Sequence, residues 1–212
     1  MKEVEEKFQI DYFEVEGTPG GNQEWCTDFW MYLGGCAALA ACDVSICLAK
    51  NAGCRECYPF SVNKLTKKQY VQFAMMMKPY IHPRIGGVSR LSIFTKGYGR
   101  YLREHGYEAE FHLCAGDETY EKACTFMKEE LKNNLPIPFL LLRHRDKKLK
   151  DLNWHWFMIT GYTVKDNRMI LRYHTYGEVQ EVDFETLWNT GMFQKGGMTS
   201  ISKIRKITEE KA

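Results

Sequence analysis

The chain has 212 residues, and its formal net charge of +2 gives no electrostatic case for a nucleic-acid partner or an acidic membrane surface. No apolar run is long enough to cross a bilayer, and the charged N-terminus lacks the apolar segment of a signal peptide. We therefore expect a cytoplasmic protein that binds neither nucleic acid nor membrane. In that reducing compartment the eight cysteines are expected to be thiols rather than disulfides.

The first two thirds of the chain carry mainly helical patterns. Alternating apolar and polar residues predict a short strand over about 8–16. Ala and Leu are the strongest helix formers, so a helix is predicted from about Cys36 to Ala49. Apolar stripes with the 3.6-residue period predict three further helices. Their expected N-caps are Thr66, Ser89 and Asp117, and a strand is expected over 107–114 between the last two helices.

The last third of the chain changes to strand patterns. Strands are predicted over 138–142, 154–162, 169–175 and 178–182, with an edge strand over 201–205. The Lys165–Arg168 segment predicts a hairpin turn, and Asp183 is expected to cap a short helix. Helices that precede antiparallel strands indicate an α+β fold. Because no linker or repeat interrupts the chain, residues 1–212 are expected to form a single domain.

The sequence GGCAALAA places Cys36 at the start of the alanine-rich helix. A cysteine in the first helical turn lies among unpaired backbone N–H groups at the positive end of the helix dipole. That position favours the nucleophilic thiolate, and the same N–H groups can stabilise an oxyanion. Far downstream, His155 opens the predicted strand HWFMITGY. A helix-starting cysteine and a histidine on a later strand are typical of nucleophilic catalysis by a cysteine–histidine pair.

These segments, with the later His174-Thr175-Tyr176-Gly177, resemble papain-like cysteine peptidases. The resemblance is strongest to the bacterial branch that is related to double-glycine leader peptidases, and it covers about residues 23–188. It implies a papain-like α+β fold, with the nucleophile at a helix N-terminus and an antiparallel sheet in the C-terminal half. It also implies a peptide or amide substrate, with no cofactor and no metal.

The resemblance also implies a role for each matching residue. Cys36 is the nucleophile, and His155 is the general base that later protonates the leaving amine. Gln23 donates to the oxyanion, although it lies thirteen residues before Cys36 and needs a looped segment to reach it. The third residue, which orients the histidine, is an Asn or Asp in most of the family. Its position here falls on His174, and Thr175, Asp166 and Asp183 stay open as alternatives.

Two other functions remain open at this point. An irregular third residue is compatible with a catalytically inactive papain-like module that binds peptides without cleaving them. The Cys54-x-x-Cys57 pair, with Cys42 and Cys47 upstream, raises a zinc or redox regulatory role. However, Cys42 and Cys47 are spaced five residues apart on a predicted helix, so they do not share a face. The sequence leaves the choice between hydrolysis and acyl transfer, and the oligomeric state, undetermined.

Overall fold

The computed structural model describes residues 5–208 and has an α+β architecture, with helices concentrated in the N-terminal half and an antiparallel sheet in the C-terminal half. The elements in chain order are β1 (Glu6–Gln9), β2 (Glu14–Val15), β3 (Thr18–Pro19), α1 (Phe29–Gly34), α2 (Cys36–Asn51), α3 (Lys67–Met77), α4 (Leu91–Glu104), β4 (Tyr107–Ala115), α5 (Tyr120–Leu131), β5 (Ile137–Leu141), β6 (His155–Lys165), β7 (Arg168–Thr175), β8 (Glu178–Asp183), α6 (Phe184–Trp188) and β9 (Gly196–Lys206). Within this part of the chain, no helix combines the length and apolar character that crossing a membrane requires.

The main sheet has the strand order β4-β9-β5-β6-β7-β8, and every pair in it is antiparallel. The β1 strand adds to the edge of β6 beyond the end of β5. The β2 and β3 strands form a separate hairpin. The β6 strand lies in the middle of this order. Its first residue, His155, pairs with Leu141 of β5, whereas the pairing of β6 with β7 begins at Met158.

Both faces of the sheet are covered, as the alternation of side chains along β6 illustrates. Trp156 and Met158 join the core that includes α2, α3 and α4. Phe157 and Ile159 join the second core, to which α5 and α6 contribute. Successive residues of a strand point to opposite faces, so α2 packs on the face that carries Trp156.

The turn between α1 and α2 fixes where the second helix begins. Gly35 is both the C-cap of α1 and the N-cap of α2. A Cβ at this position would lie 2.4 Å from the backbone oxygen of Met31, so only glycine fits. The next residue, Cys36, therefore enters α2 directly, and every residue from there to Ala49 is buried.

Several predicted boundaries differ from the structure. The strand expected over 8–16 is split into β1 and β2, which belong to different sheets. The predicted edge segment over 201–205 pairs with β4 alone, but it is the second half of a longer strand, β9, whose first residues, 196–198, lie between β4 and β5. Arg90, rather than Ser89, is the N-cap of α4, and Thr119, rather than Asp117, is the N-cap of α5.

Other local predictions are confirmed. Thr66 caps α3 by accepting from Gln69 N–H, and Asp183 caps α6 by accepting from Thr186 N–H. The β6–β7 hairpin turns at Asp166 and Asn167, whose φ values of 50° and 59° are those of a tight hairpin turn.

Candidate active site

Cys36 is the first residue of α2, and its thiol is almost enclosed, with 7 % of the residue exposed. Burial raises the pKa of the thiol, whereas the backbone N–H groups of Trp156, Ala37 and Cys36 itself oppose that rise. The contribution from Trp156 places the sulfur at the start of β6, one residue from His155. The sulfur therefore lies where amide groups can support a thiolate.

His155 begins β6 and is held on two sides. Its Nε2 atom lies 2.7 Å from the Oγ1 atom of Thr175. The ring of Tyr176 stacks on the imidazole at a centroid distance of 4.7 Å, with 5° between the planes. The Tyr176 hydroxyl lies 3.5 Å from Nδ1, the other ring nitrogen. Burial lowers the pKa of His155 to about 4, so the imidazole is neutral at pH 7.

The residue that orients His155 is Thr175, not His174 as the main hypothesis assumed. Both His174 ring nitrogens are buried without a hydrogen-bond partner, and the ring packs on Tyr12 at a centroid distance of 4.3 Å. Adjacent strand residues point to opposite faces, so Thr175 is the one of the two that reaches His155. Asp166 lies in the distal hairpin turn, and Asp183 is occupied as a helix cap.

Gln23 reaches the pocket despite its distance from Cys36 in sequence. The intervening residues form α1, and the side-chain Nε2 of Gln23 donates to the backbone oxygen of Tyr32 in that helix, at 2.6 Å. The amide nitrogen carries a second hydrogen, which remains available to a ligand. The Oε1 atom is buried and has no partner.

The structure brings all four predicted site residues to one pocket, which is lined by Gln23, Cys36, His155 and His174. Its free volume is about 30 Å³, which is room for one or two water molecules. The hydrogen bonds of the His155 ring go to Thr175 and Tyr176, and within residues 5–208 none joins the ring to the Cys36 thiol. The pocket is thus closed, with a neutral histidine beside a buried thiol.

A buried carboxylate that we did not predict lies at the other end of the same pocket. Asp43 of α2 accepts hydrogen bonds from the hydroxyls of Tyr12 and Tyr70, at 2.7 and 2.6 Å. The backbone N–H of Gly21 also faces it. Burial raises the pKa of Asp43 to about 7, and these three donors limit the rise. No local sequence pattern identifies the group, because Tyr12 and Tyr70 are distant from Asp43 in the chain.

The other cysteines do not form a recognisable chemical site. Cys54 and Cys57 are buried free thiols, and burial raises the pKa of each. A redox-active cysteine has a lowered pKa, so this environment disfavours a redox role. Among the residues that the structure describes, no three His, Cys, Asp or Glu side chains are grouped closely enough to hold a metal ion.

The arrangement supplies the parts of nucleophilic catalysis: a thiol at a helix N-terminus, an imidazole at the adjacent strand, an orienting hydroxyl and a side-chain amide. Burial works against the charged forms of both the thiol and the imidazole. In this environment both groups are therefore neutral. Comparison with models of protein families, with curated proteins and with solved structures finds no match to this chain.

Proposed function

We propose that the protein is a papain-like, cysteine-dependent hydrolase or acyltransferase that acts on a peptide or amide bond. One observation supports this most strongly. The thiol at the first turn of α2 and the imidazole at the start of β6 line the same pocket, although more than half of the chain separates them in sequence. Covalent catalysis requires a nucleophile and a base that share one site, so this shared pocket supports the proposal.

In the proposed reaction, Nδ1 of His155 takes the proton of the Cys36 thiol, and the sulfur attacks the carbonyl carbon. The reaction uses the tautomer whose Nε2–H group donates to the Thr175 hydroxyl, and Nδ1 becomes available as the base once the Tyr176 hydroxyl beside it is displaced. The backbone N–H of Cys36 and the side chain of Gln23 stabilise the oxyanion. His155 then protonates the leaving amine, and the thioester transfers its acyl group to water or to an amine.

Thr175 offers a hydroxyl where the resemblance implied an Asn or an Asp. A hydroxyl fixes the ring by a hydrogen bond but contributes no negative charge toward an imidazolium, unlike the Asp of a catalytic triad. The neutral resting state of His155, whose pKa is lowered to about 4, agrees with this. We infer that substrate binding must displace the Tyr176 ring or change the local polarity before the charged pair forms.

The proposal is tested with a library of unmodified peptides and mass spectrometry of the products. The full-length protein should cleave or acylate specific peptides, and Cys36→Ala should not, because it lacks the sulfur. Cys124→Ala is the matched control, since Cys124 is a partly exposed thiol on α5 and lies outside the pocket. Equal turnover by the wild type and Cys36→Ala would contradict the proposal.

A catalytically inactive peptide-binding module is the second candidate, and the closed pocket favours it. His155 and Cys36 are 6 % and 7 % exposed, and Tyr176 stacks flat on the imidazole. In that case Cys36→Ala would retain the affinity of the wild type for its peptide, while the wild type would show no turnover.

A further inference from the structure

The pocket continues from the thiol along α2 to Asp43. Seven residues of helix separate the two positions, which corresponds to a rise of about 10 Å. Leu39 and Ala40 line the same pocket from α2, and Met158 contributes from β6. The inner end is therefore polar, and the wall between it and the thiol is apolar.

The Asp43 carboxylate has no cationic partner. Its hydrogen-bond donors are two phenols and a backbone amide, all of them neutral. Within residues 5–208, Asp43 takes part in no ion pair. A buried charge without a countercharge is costly, so a carboxylate that lines a cavity in this state favours a cationic occupant.

Two further side chains in the pocket have buried polar atoms without partners. His174 is 7 % exposed and Gln23 is 8 % exposed, and the unpartnered atoms are both His174 ring nitrogens and Gln23 Oε1. The Pro19 carbonyl, which acts to raise the pKa of His174, is near the ring but forms no hydrogen bond of normal geometry with it. A buried polar group without a hydrogen-bond partner destabilises the folded protein, so an occupant that satisfies several of these groups at once is favoured.

We propose that the inner end of the pocket binds a protonated primary amine, carried on an aliphatic chain of the substrate. The two Asp43 carboxylate oxygens supply the negative charge, and one His174 nitrogen supplies a neutral acceptor. An ammonium group has three donors and no acceptor, which matches this set. That the amine belongs to the substrate rests on the proposed function. The binding of an amine at this position does not rest on it.

The size of the pocket limits how the amine enters. A free volume of about 30 Å³ admits an ammonium-sized group but not the chain that carries it. Tyr176, which is 40 % exposed and also lines the pocket, is the side chain between His155 and solvent. Its displacement admits the chain, while the apolar walls at Leu39 and Met158 accommodate methylene groups.

The binding of the amine has a defined pH dependence, because Asp43 is the group that titrates near neutrality. Burial raises the pKa values of its neighbours Tyr12, Tyr70, Cys42 and Cys47, and it lowers that of His174 to about 4, so all five stay neutral between pH 6 and 8. The charged groups nearest to them lie outside the pocket: Arg172 beside His174, and the pair of Asp11 and Lys50 beside Cys47. The Asp43 carboxylate is largely ionised at pH 8 and largely protonated at pH 6.

The test compares two alkylating probes that differ only at their ends. One is the chloroacetamide of 1,4-diaminobutane, and the other is N-butyl chloroacetamide, whose chain ends in a methyl group. In the wild type at pH 8, the amine probe should label Cys36 about tenfold faster, the effect of one strong hydrogen bond to a charged group. Dividing one rate by the other removes the ionisation of Cys36 itself from the comparison.

Variants and a change of pH then show whether Asp43 causes the faster labelling by the amine probe. The ratio of the two labelling rates should fall to about one in Asp43→Asn. It should fall in the same way in the wild type at pH 6, and this second measurement does not depend on how well the variant folds. Asp151→Asn is the control, because Asp151 is an exposed acid that acts on Tyr176 at the mouth. Asp151→Asn should keep the tenfold ratio. If the ratio falls as far in Asp151→Asn as in Asp43→Asn, the pocket attracts cations only generally and the proposal is overturned.

The two proposals fail in distinguishable ways. If the butyl probe labels Cys36 and the ratio in the wild type at pH 8 is near one, the amine site is wrong and the proposed function survives. If neither probe labels Cys36, the proposed function is contradicted. The amine site is then decided by the melting temperature, which methylammonium chloride should raise relative to tetramethylammonium chloride. Equal melting temperatures would overturn it.

Discussion

The Thr175 hydroxyl lies 2.7 Å from Nε2 of His155, while its neighbour His174 faces away with both ring nitrogens unpartnered. This relationship assigns the orienting hydrogen bond to the last residue of β7. Tyr176 follows with a φ of 52° and covers the ring that Thr175 holds. Two consecutive residues therefore fix the edge and the face of the same imidazole.

Replacing Thr175 by Val should slow the alkylation of Cys36 by iodoacetamide about fivefold, because it removes a hydrogen bond worth about 1 kcal/mol and leaves Nε2 unsatisfied. The two side chains are nearly equal in shape, so the effect reports the hydroxyl. Thr175→Ser should restore most of the rate. His174→Asn should leave the rate near that of the wild type, and a larger loss in His174→Asn than in Thr175→Val would return the orienting role to His174.

The free energy of unfolding should depend on pH between 5 and 6.5 in a way that three buried groups explain. The folded-state pKa values of His155 and His174 are lowered to about 4. On these two side chains the unfolded chain therefore binds nearly two more protons than the folded chain at pH 5, and about one more at pH 6.5. The folded-state pKa of Asp43 is raised to about 7, so the folded chain keeps one proton that the unfolded chain has released. The balance is close to one extra proton on the unfolded chain at pH 5 and shrinks toward pH 6.5, so stability should rise with pH by about 1 kcal/mol per unit near pH 5 and less steeply above it.

Single variants separate these contributions in urea unfolding at pH 5 and 6.5. His174→Asn removes one of the protons bound by the unfolded chain, so its stability should be nearly independent of pH. Asp43→Asn removes the proton kept by the folded chain, so its slope should approach twice that of the wild type. A wild type whose stability falls as pH rises over this range would show that the histidines are charged in the folded state.

Glycine substitutions at the two ends of α2 should have different consequences. A Cβ at Gly35 would lie 2.4 Å from the Met31 backbone oxygen, whereas a Cβ at Gly53 meets nothing within 4 Å and only the φ of 71° opposes it. Gly35→Ala should therefore lower stability by about 1–3 kcal/mol and move Cys36, which slows its alkylation. Gly53→Ala should cost about 1 kcal/mol without changing the alkylation rate. Equal alkylation of both variants would show that the turn does not position the thiol.

The sequence was sufficient for the elements that depend on local chemistry. The start of α2 at Cys36 follows from glycine sterics and alanine propensity, and the caps at Thr66 and Asp183 follow from side chains that accept backbone N–H groups. The order of helices before strands is likewise predicted by the spacing of apolar residues, which repeats every 3.6 residues in helices and every two in strands.

The remaining features depend on pairing that no local pattern encodes. A register shift between Ile159 and Gly161 changes how β6 aligns with β7, so counting by twos along β7 alone could not decide between His174 and Thr175. The position of β9 between β4 and β5 is also a long-range pairing. For the same reason Asp43 was not predicted, since its partners come from the N-terminal segment and from α3.

The central claim is that Cys36 is a nucleophile activated by His155, and the most direct measurement is site-resolved alkylation by iodoacetamide at pH 7. Cys124 is the reference, because it is partly exposed and lies outside the pocket. Because the charged pair requires displacement of Tyr176, the comparison is made in Tyr176→Ala, where we predict that Cys36 reacts at least about tenfold faster than Cys124. In the same background, His155→Asn should remove about 10²-fold or more of the Cys36 rate, as loss of a general base does. A Cys36 that reacts no faster than Cys124, or whose rate does not change in His155→Asn, would contradict the account.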